Sequence, residues 1–336
     1  MQHVTAVAPG RVNLIGDHTD YMGGLAMPIA VDMCTVVRGR RDGELVHIES
    51  AELPGTAEVP LGGGEPPARL HGWVRLVWAV VGEVRPRRGF RGSVSTELPI
   101  GSGLSSSAAL EVSLALALGH SGDPLDLALS CQRAERLAWG VPSGLMDQLC
   151  SAGARSGHAM LIDFADLTWT HVPLPEDLAI YVVDSGTRRT VADTAYAERQ
   201  REAREAEAFV GPLRQAGEDA LVEIPDDRLR RRARHVVTEN GRVRAAAEAL
   251  ASCDLREFGR LLTAGHESLR RDFEVSTPVL DGLVSELVSM RGVYGARLTG
   301  AGFGGSLVVA AEPGALDHLP QARRVRASAG ALVSES

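Results

Sequence analysis

The stretch Leu98-Pro-Ile-Gly-Ser-Gly-Leu-Ser-Ser-Ser-Ala-Ala-Leu-Glu111 limits the possible folds more than any other part of the chain. Before it, Arg91 to Thr96 alternates like a half-buried strand; after it, the apolar run from Leu104 to Leu118 reads as a helix. The fold must therefore place an irregular glycine-serine loop at a helix N-terminus. Gly101 and Gly103 let the backbone approach an anion closely, and Ser105, Ser106 and Ser107 offer hydroxyls. The unpaired N–H groups and the macrodipole of such a helix end attract phosphate. Read alone, the segment fits equally well a glycine-serine turn that caps a core helix. The chain contains no lysine, all 35 of its basic residues being arginine. That excludes a Walker-type loop, which needs a lysine after its last glycine.

A length of 336 residues suffices for two domains or one large one, and 44% apolar with 23% charged residues is ordinary for a folded soluble protein. The net charge of −8 argues against nucleic acid as a partner, because binding a phosphate backbone calls for a basic surface. No segment has the apolar length to cross a bilayer, and Met1 to Val7 carries neither a basic region nor a hydrophobic leader. The expectation is a cytoplasmic protein with no membrane partner. Cys34, Cys131, Cys150 and Cys253 are scattered without a C-x-x-C pair, which speaks against a zinc site or a disulfide framework.

Patterning predicts strands at 4–8, 25–38 and 45–50, a Gly/Pro-rich loop over 52–67, and a helix over 70–84. Asp123 and Pro124 have the chemistry of an N-cap and first helical residue, and they open a helix that ends at Gly140. Strands follow at 159–164 and 179–183, then helices over 193–210, 228–251 and 255–273. A glycine-rich segment, 295–305, leads into an apolar strand, 306–311. The change in composition places a domain boundary near residue 175, giving domains 1–175 and 176–336.

The segment Gly10-Arg-Val-Asn-Leu-Ile-Gly-Asp-His-Thr-Asp-Tyr21 sets two carboxylates, a histidine, an arginine and a tyrosine among glycines. Such a set suits paired sugar hydroxyls, which carboxylates accept as hydrogen-bond donors. A polar surface turn is the alternative. Together with the serine loop and Gly295-Ala-Arg-Leu-Thr-Gly-Ala-Gly-Phe-Gly-Gly305, it resembles, in order and separation, the three signature motifs of the GHMP kinase superfamily. The first motif is similar to the galactokinase signature. The likeness continues through Cys131-Gln-Arg-Ala-Glu135, Gly144-Leu-Met-Asp-Gln148, Asp184 to Arg189, Tyr196 and His235-Val-Val-Thr-Glu-Asn240, covering nearly the whole chain.

The resemblance implies an α+β, two-domain GHMP kinase fold, with an N-terminal domain like ribosomal protein S5 domain 2 and a ferredoxin-like C-terminal domain. It implies transfer of the γ-phosphate of ATP to the anomeric hydroxyl of galactose. Asp147 matches the base and Arg11 the arginine beside it. Sugar contacts fall on Asp17, His18, Asp20, Gly144 and Tyr196. Gly101, Ser102, Gly103, Leu104, Ser105, Ser106, Ser107 and Ala108 match the residues that wrap the nucleotide phosphates, and Ser107 with Glu135 those that hold Mg2+. Gly300, Gly302, Gly304 and Gly305 match the third motif, which packs against the first two. Small-molecule sugar and MgATP are the expected partners of a monomer, with oligomers left open. Where the galactokinase signature has glutamate, this chain has Asp17, one methylene shorter, and Met22 replaces a small polar residue. Those departures keep open a sugar 1-kinase acting on a modified hexose or a pentose, and a sensor without turnover remains a third reading.

Overall fold

The computed structural model of the protein describes residues 2–99, 103–140, 143–187 and 192–336. Gly101 and Ser102, expected in the phosphate loop, lie outside the described residues, as do Arg188 and Arg189.

The chain starts with β1 (Gln2–Asn13), β2 (Leu25–Ala26), β3 (Pro28–Arg41), β4 (Leu45–Ser50) and β5 (Thr56–Pro60). It continues through α1 (Gly72–Val84), β6 (Phe90–Thr96), α2 (Ser106–Ala117), α3 (Pro124–Trp139) and α4 (Met146–Gly153). Next come β7 (His158–Asp163), β8 (Thr168–Pro173), β9 (Ala179–Asp184), α5 (Ala192–Val210), α6 (Asp227–Ala251), α7 (Leu255–Arg271) and α8 (Pro278–Ser289). The last strands are β10 (Val293–Leu298), β11 (Ser306–Ala311), β12 (Ala322–Val325) and β13 (Leu332–Glu335).

Local chemistry sets several of these boundaries. Asp123 Oδ1 accepts from Asp126 N at 2.9 Å, Pro124 opens α3, and Gly140 ends it in the left-handed region at φ 69°. Thr277 followed by Pro278 starts α8 in the same way. In β4, Val46 and Ile48 point into the core while His47 and Glu49 face outward, the period of two expected of a half-buried strand.

β13, β1, β3, β6, β4 and β5 form one sheet in that order, with β4 and β6 parallel and the other pairs antiparallel. An antiparallel sheet in the order β10, β11, β9, β12 forms the second unit, with α7 and α8 against β10. A small third sheet joins β2, β7 and β8. The expected division at 175 is crossed in two places. β13 pairs with β1, so the tail of 176–336 returns to the first sheet. One apolar core also spans both halves, joining Val12, Leu14 and Ile15 to Phe258, Leu261 and Val308. The predicted loop over 52–67 contains β5 as an edge strand, and β10 takes in the start of the glycine-rich segment 295–305. Among the described residues, no helix is long and apolar enough to cross a membrane.

Candidate active site

The site lies where the end of β1, the start of α2 and the start of α4 converge. Gly10 makes the approach possible, since a Cβ there would sit 2.5 Å from the Leu104 carbonyl oxygen. Arg11 N donates to that same oxygen at 3.1 Å, tying the serine loop to the strand. The buried Arg11 side chain completes the joint: Nη1 donates to the Gly103 carbonyl at 2.7 Å, and Nε and Nη2 meet Asp147 Oδ1 at 2.7 and 2.6 Å. Asp147 sits in the first turn of α4, where the helix dipole favours a negative charge. Its other oxygen accepts from the hydroxyl of Ser105. The Ser105 hydroxyl, expected on a nucleotide phosphate, is thus directed to Asp147 instead. Ser105 takes a left-handed conformation, φ 57°, which turns the loop into α2. The orphan N–H groups of Ser106, Ser107 and Ala108 open α2 in the manner of an anion site.

Beside these serines is an apolar cavity of about 210 Å³, lined by Leu53, Trp73, Leu76, Leu110 and Trp139 together with Ser106 and Ser107. Neither tryptophan stands out from the sequence motifs. The available signal is rarity: only 4% of the chain is aromatic, yet two of its four tryptophans meet here.

On the other side of Asp147 lies the loop after β1. Asp20 and Gly144 are brought together so tightly that a Cβ on residue 144 would lie 1.5 Å from Asp20 Oδ2. Burial, then the nearby charge of Asp147, pushes the Asp20 carboxyl up to about 7. His18 Nδ1 lies 2.9 Å from Tyr21 Oη, and its ring centroid is 5.4 Å from that of Tyr196. Burial and the charge of Asp20 raise the Tyr196 and Tyr21 hydroxyls well above the usual phenol range, so both stay neutral donors. Asp20, Tyr21 and Gly144 line one polar recess, and His18 meets both Tyr21 and Tyr196. If Asp20 receives a sugar hydroxyl, as the sequence resemblance implies, Gly144→Ala should displace its carboxylate and raise the KM for sugar by about 10- to 100-fold, the equivalent of about one charged hydrogen bond. Steady-state kinetics at saturating ATP would measure this.

The structure puts Asp17 elsewhere. It is 1% exposed, with Oδ2 accepting from Arg297 Nη2 at 2.9 Å and Oδ1 from Gly300 N at 2.8 Å. Both oxygens serve the protein, so Asp17 is a joint between the first and third motifs and presents no face to a sugar. Burial raises its pKa despite the opposing pull of Arg297. Thr299 Oγ1 donates to the Asn13 carbonyl at 2.9 Å across the same joint. Gly302, at φ 77°, allows the third motif to turn against the Val275 carbonyl, which a Cβ would approach to 2.4 Å.

Glu135 projects from α3 toward Gln148, whose Nε2 donates to Glu135 Oε2 at 3.1 Å and to the fully buried Glu111 Oε2 at 2.9 Å. Burial raises both carboxyls, and Asp147 adds to the rise. Asp147, Glu135 and Glu111 gather carboxyl oxygens, which are hard donors, near one guanidinium, and a bound cation would offset the burial that raises the two glutamates. That chemistry fits Mg2+, an ion that keeps most of its water and takes few protein ligands. Among the described residues, no group of three or more acidic, cysteine or histidine side chains forms a closed metal cage.

Comparison with known proteins identifies the family. The family described as "Galactokinase galactose-binding signature" matches residues 2–41, "GHMP kinases N terminal domain" residues 74–154, and "GHMP kinases C terminal" residues 246–331. Galactokinase from Roseiflexus sp. (strain RS-1) is 42% identical over 326 residues, spanning 91% of this chain and 83% of that protein. Galactokinase from Homo sapiens is 40% identical over 340 residues, spanning 93% and 84%. The crystal structure of Lactococcus lactis galactokinase complexed with galactose superposes with a TM-score of 0.92 at 28% identity, covering 98% of this chain and 95% of that one. Methanococcus jannaschii mevalonate kinase has the same fold at 19% identity, with a TM-score of 0.71 over 97% of this chain and 98% of its own.

Proposed function

The chain belongs to the galactokinase family of GHMP kinases, and from that premise we propose how its residues divide the work of phosphorylating galactose with ATP. The anomeric oxygen attacks the γ-phosphorus, the bond to the ADP oxygen breaks, and the proton of the attacking hydroxyl passes to Asp147. The Arg11–Asp147–Ser105 constellation carries this reading, because it joins a carboxylate base to the loop that holds the nucleotide. Arg11 neutralises Oδ1 and stays close enough to offset charge on the transferring group. Oδ2 is the oxygen left to take the proton, with the Ser105 hydroxyl able to swing aside. Little covalent chemistry is asked of the protein, since phosphoryl transfer depends chiefly on positioning and electrostatics.

The nucleotide phosphates rest on the N–H groups opening α2, and the cavity beneath Trp73 and Trp139 takes the adenine. Ser107 and Glu135 would hold Mg2+, which when bound neutralises charge between the β- and γ-phosphates. Asp20, His18 and Tyr196 receive the sugar hydroxyls, with Gly144 leaving room for the Asp20 carboxylate. An ADP-release assay over a panel of hexoses and pentoses tests the substrate. Galactose should turn over fastest, and a clearly better sugar would move the reading to another sugar 1-kinase of the family.

The raised Asp20 carboxyl links this site to stability. In the fold it holds its proton up to about 7, against about 4 for an unfolded aspartate, so it weakens the fold increasingly as pH rises across that interval. Asp20→Asn should stabilise the unliganded protein by on the order of 2 kcal/mol at pH 8 and by little at pH 4. Urea titrations at the two pH values would measure the difference, and the same substitution should weaken sugar binding.

A further inference from the structure

The segment His235-Val-Val-Thr-Glu-Asn240 belongs to the family likeness, yet it lines neither the sugar recess nor the nucleotide cavity. Three of its four polar residues, His235, Glu239 and Asn240, are buried on α6, and each of these reaches the backbone of the sugar loop. His235 Nε2 lies 3.0 Å from the Asp17 carbonyl oxygen, Glu239 Oε1 accepts from Gly16 N at 2.9 Å, and Asn240 Oδ1 accepts from Leu25 N at 2.8 Å. A carbonyl can only accept, and burial pushes the His235 pKa down to about 4, so the ring is neutral with its one proton on Nε2. Arg297 braces the set, with Nη1 on Glu239 Oε1 at 2.7 Å and Nη2 on Asp17 Oδ2 at 2.9 Å. Two glycines leave the space this needs. A Cβ at Gly24 would sit 2.6 Å from Asn240 Oδ1, and one at Gly265 would sit 2.5 Å from Arg297 Nη1.

The loop so held is irregular. Gly16 has φ 97° and His18, not a glycine, has φ 65°. A side-chain-bearing residue in that region costs about 1–2 kcal/mol and persists only where its surroundings determine it. Within the loop, the Thr19 hydroxyl meets the Gly16 and Leu25 carbonyls, and Met22 N and Gly24 N donate to the Thr19 carbonyl. From outside it is held by Arg297 and Gly300 on the Asp17 carboxylate, by Phe164 N on the Gly24 carbonyl, and by the three α6 side chains, which alone among these reach the backbone at both Gly16–Asp17 and Leu25.

We infer that His235, Glu239 and Asn240, braced by Arg297, are positioning residues that set the shape of the sugar loop, and so the affinity for sugar, without touching either substrate. This rests on the reading of His18 and Asp20 as sugar contacts. His235→Leu removes the donor to the Asp17 carbonyl, and Asn240→Ala removes the acceptor for Leu25 N. Each should raise the galactose KM, and the galactose Kd from calorimetry, about tenfold or more, with the ATP KM changed less than twofold. His235→Gln, which restores a donor at similar reach, should recover most of the loss; a purely structural role would lower stability without this split between substrates. Calorimetry is run with a saturating non-hydrolysable ATP analogue, which keeps weakened variants folded.

Asp20→Asn serves as the control for the underlying reading. If Asp20→Asn keeps parental galactose affinity, the sugar-site assignment fails. If it loses affinity while His235→Leu and Asn240→Ala keep the parental Kd, the positioning role is overturned.

Discussion

Replacing Asp147 with asparagine is expected to slow ADP release by about 10²- to 10⁴-fold at saturating galactose and ATP, the contribution typical of a positioned base. The side chain keeps its shape, with the amide oxygen left to Arg11 and the amide NH2 able to donate to the Ser105 hydroxyl oxygen, so the fold should survive. Calorimetric affinities for galactose and for the ATP analogue should move by less than about fivefold. A fall in kcat with both affinities kept identifies a group that acts in the transition state. Parental kcat in this variant would remove Asp147 from the reaction and leave Arg11 as the main contributor. A parent protein that binds both ligands and releases no ADP would instead mark a sensor.

The second large effect concerns stability. Arg297→Met leaves Asp17 and Glu239 buried at 1% and 0% exposure without their shared counter-charge. In the parent, burial alone would raise Glu239, but Arg297 and then Arg242 outweigh it and hold it far below the usual carboxylate range. Removing one partner of such a group typically costs about 3–5 kcal/mol, a large part of the roughly 5–15 kcal/mol that holds a domain folded. Urea unfolding should therefore show a sharply lower midpoint. The two carboxyls would then take up protons in the fold at higher pH than they do in the unfolded chain. The deficit should accordingly shrink as pH falls from 8 toward 5. An equal midpoint for variant and parent would mean the ion pairs contribute nothing net.

Sequence and structure agree best where signals are local. Asp123, Pro124 and Gly140 bound α3 through capping chemistry that acts within one turn. The serine loop and the helix after it are legible for the same reason. What escaped depends on distant partners. Asp17 reads as a sugar contact because its neighbours His18 and Asp20 are polar, and the guanidinium that claims it lies 280 positions along the chain. The cavity between Trp73 and Trp139 is assembled from the ends of separate helices, so no window of sequence contains it. β5 escaped because its alternation, with Ala57 and Val59 inward, lasts only five residues inside a stretch dominated by glycine and proline. β10 escaped because Gly295 interrupts its alternation, and that residue lets the strand pass against Gly259, whose carbonyl oxygen a Cβ would meet at 1.9 Å.

The pairing of β13 with β1 has a temporal consequence. Val4 to Val7 find their partners only at Leu332 to Glu335, and His3 and Ser336 exchange backbone hydrogen bonds at 2.9 and 3.0 Å. At a translation rate of about 5–20 residues per second, the outer edge of the strand that carries Arg11 waits roughly 15–60 s after emerging from the ribosome before it is sealed. Through that interval it offers open amide and carbonyl groups to any passing nascent chain, so chaperone supply and synthesis speed, more than final stability, should govern how much active enzyme a cell recovers.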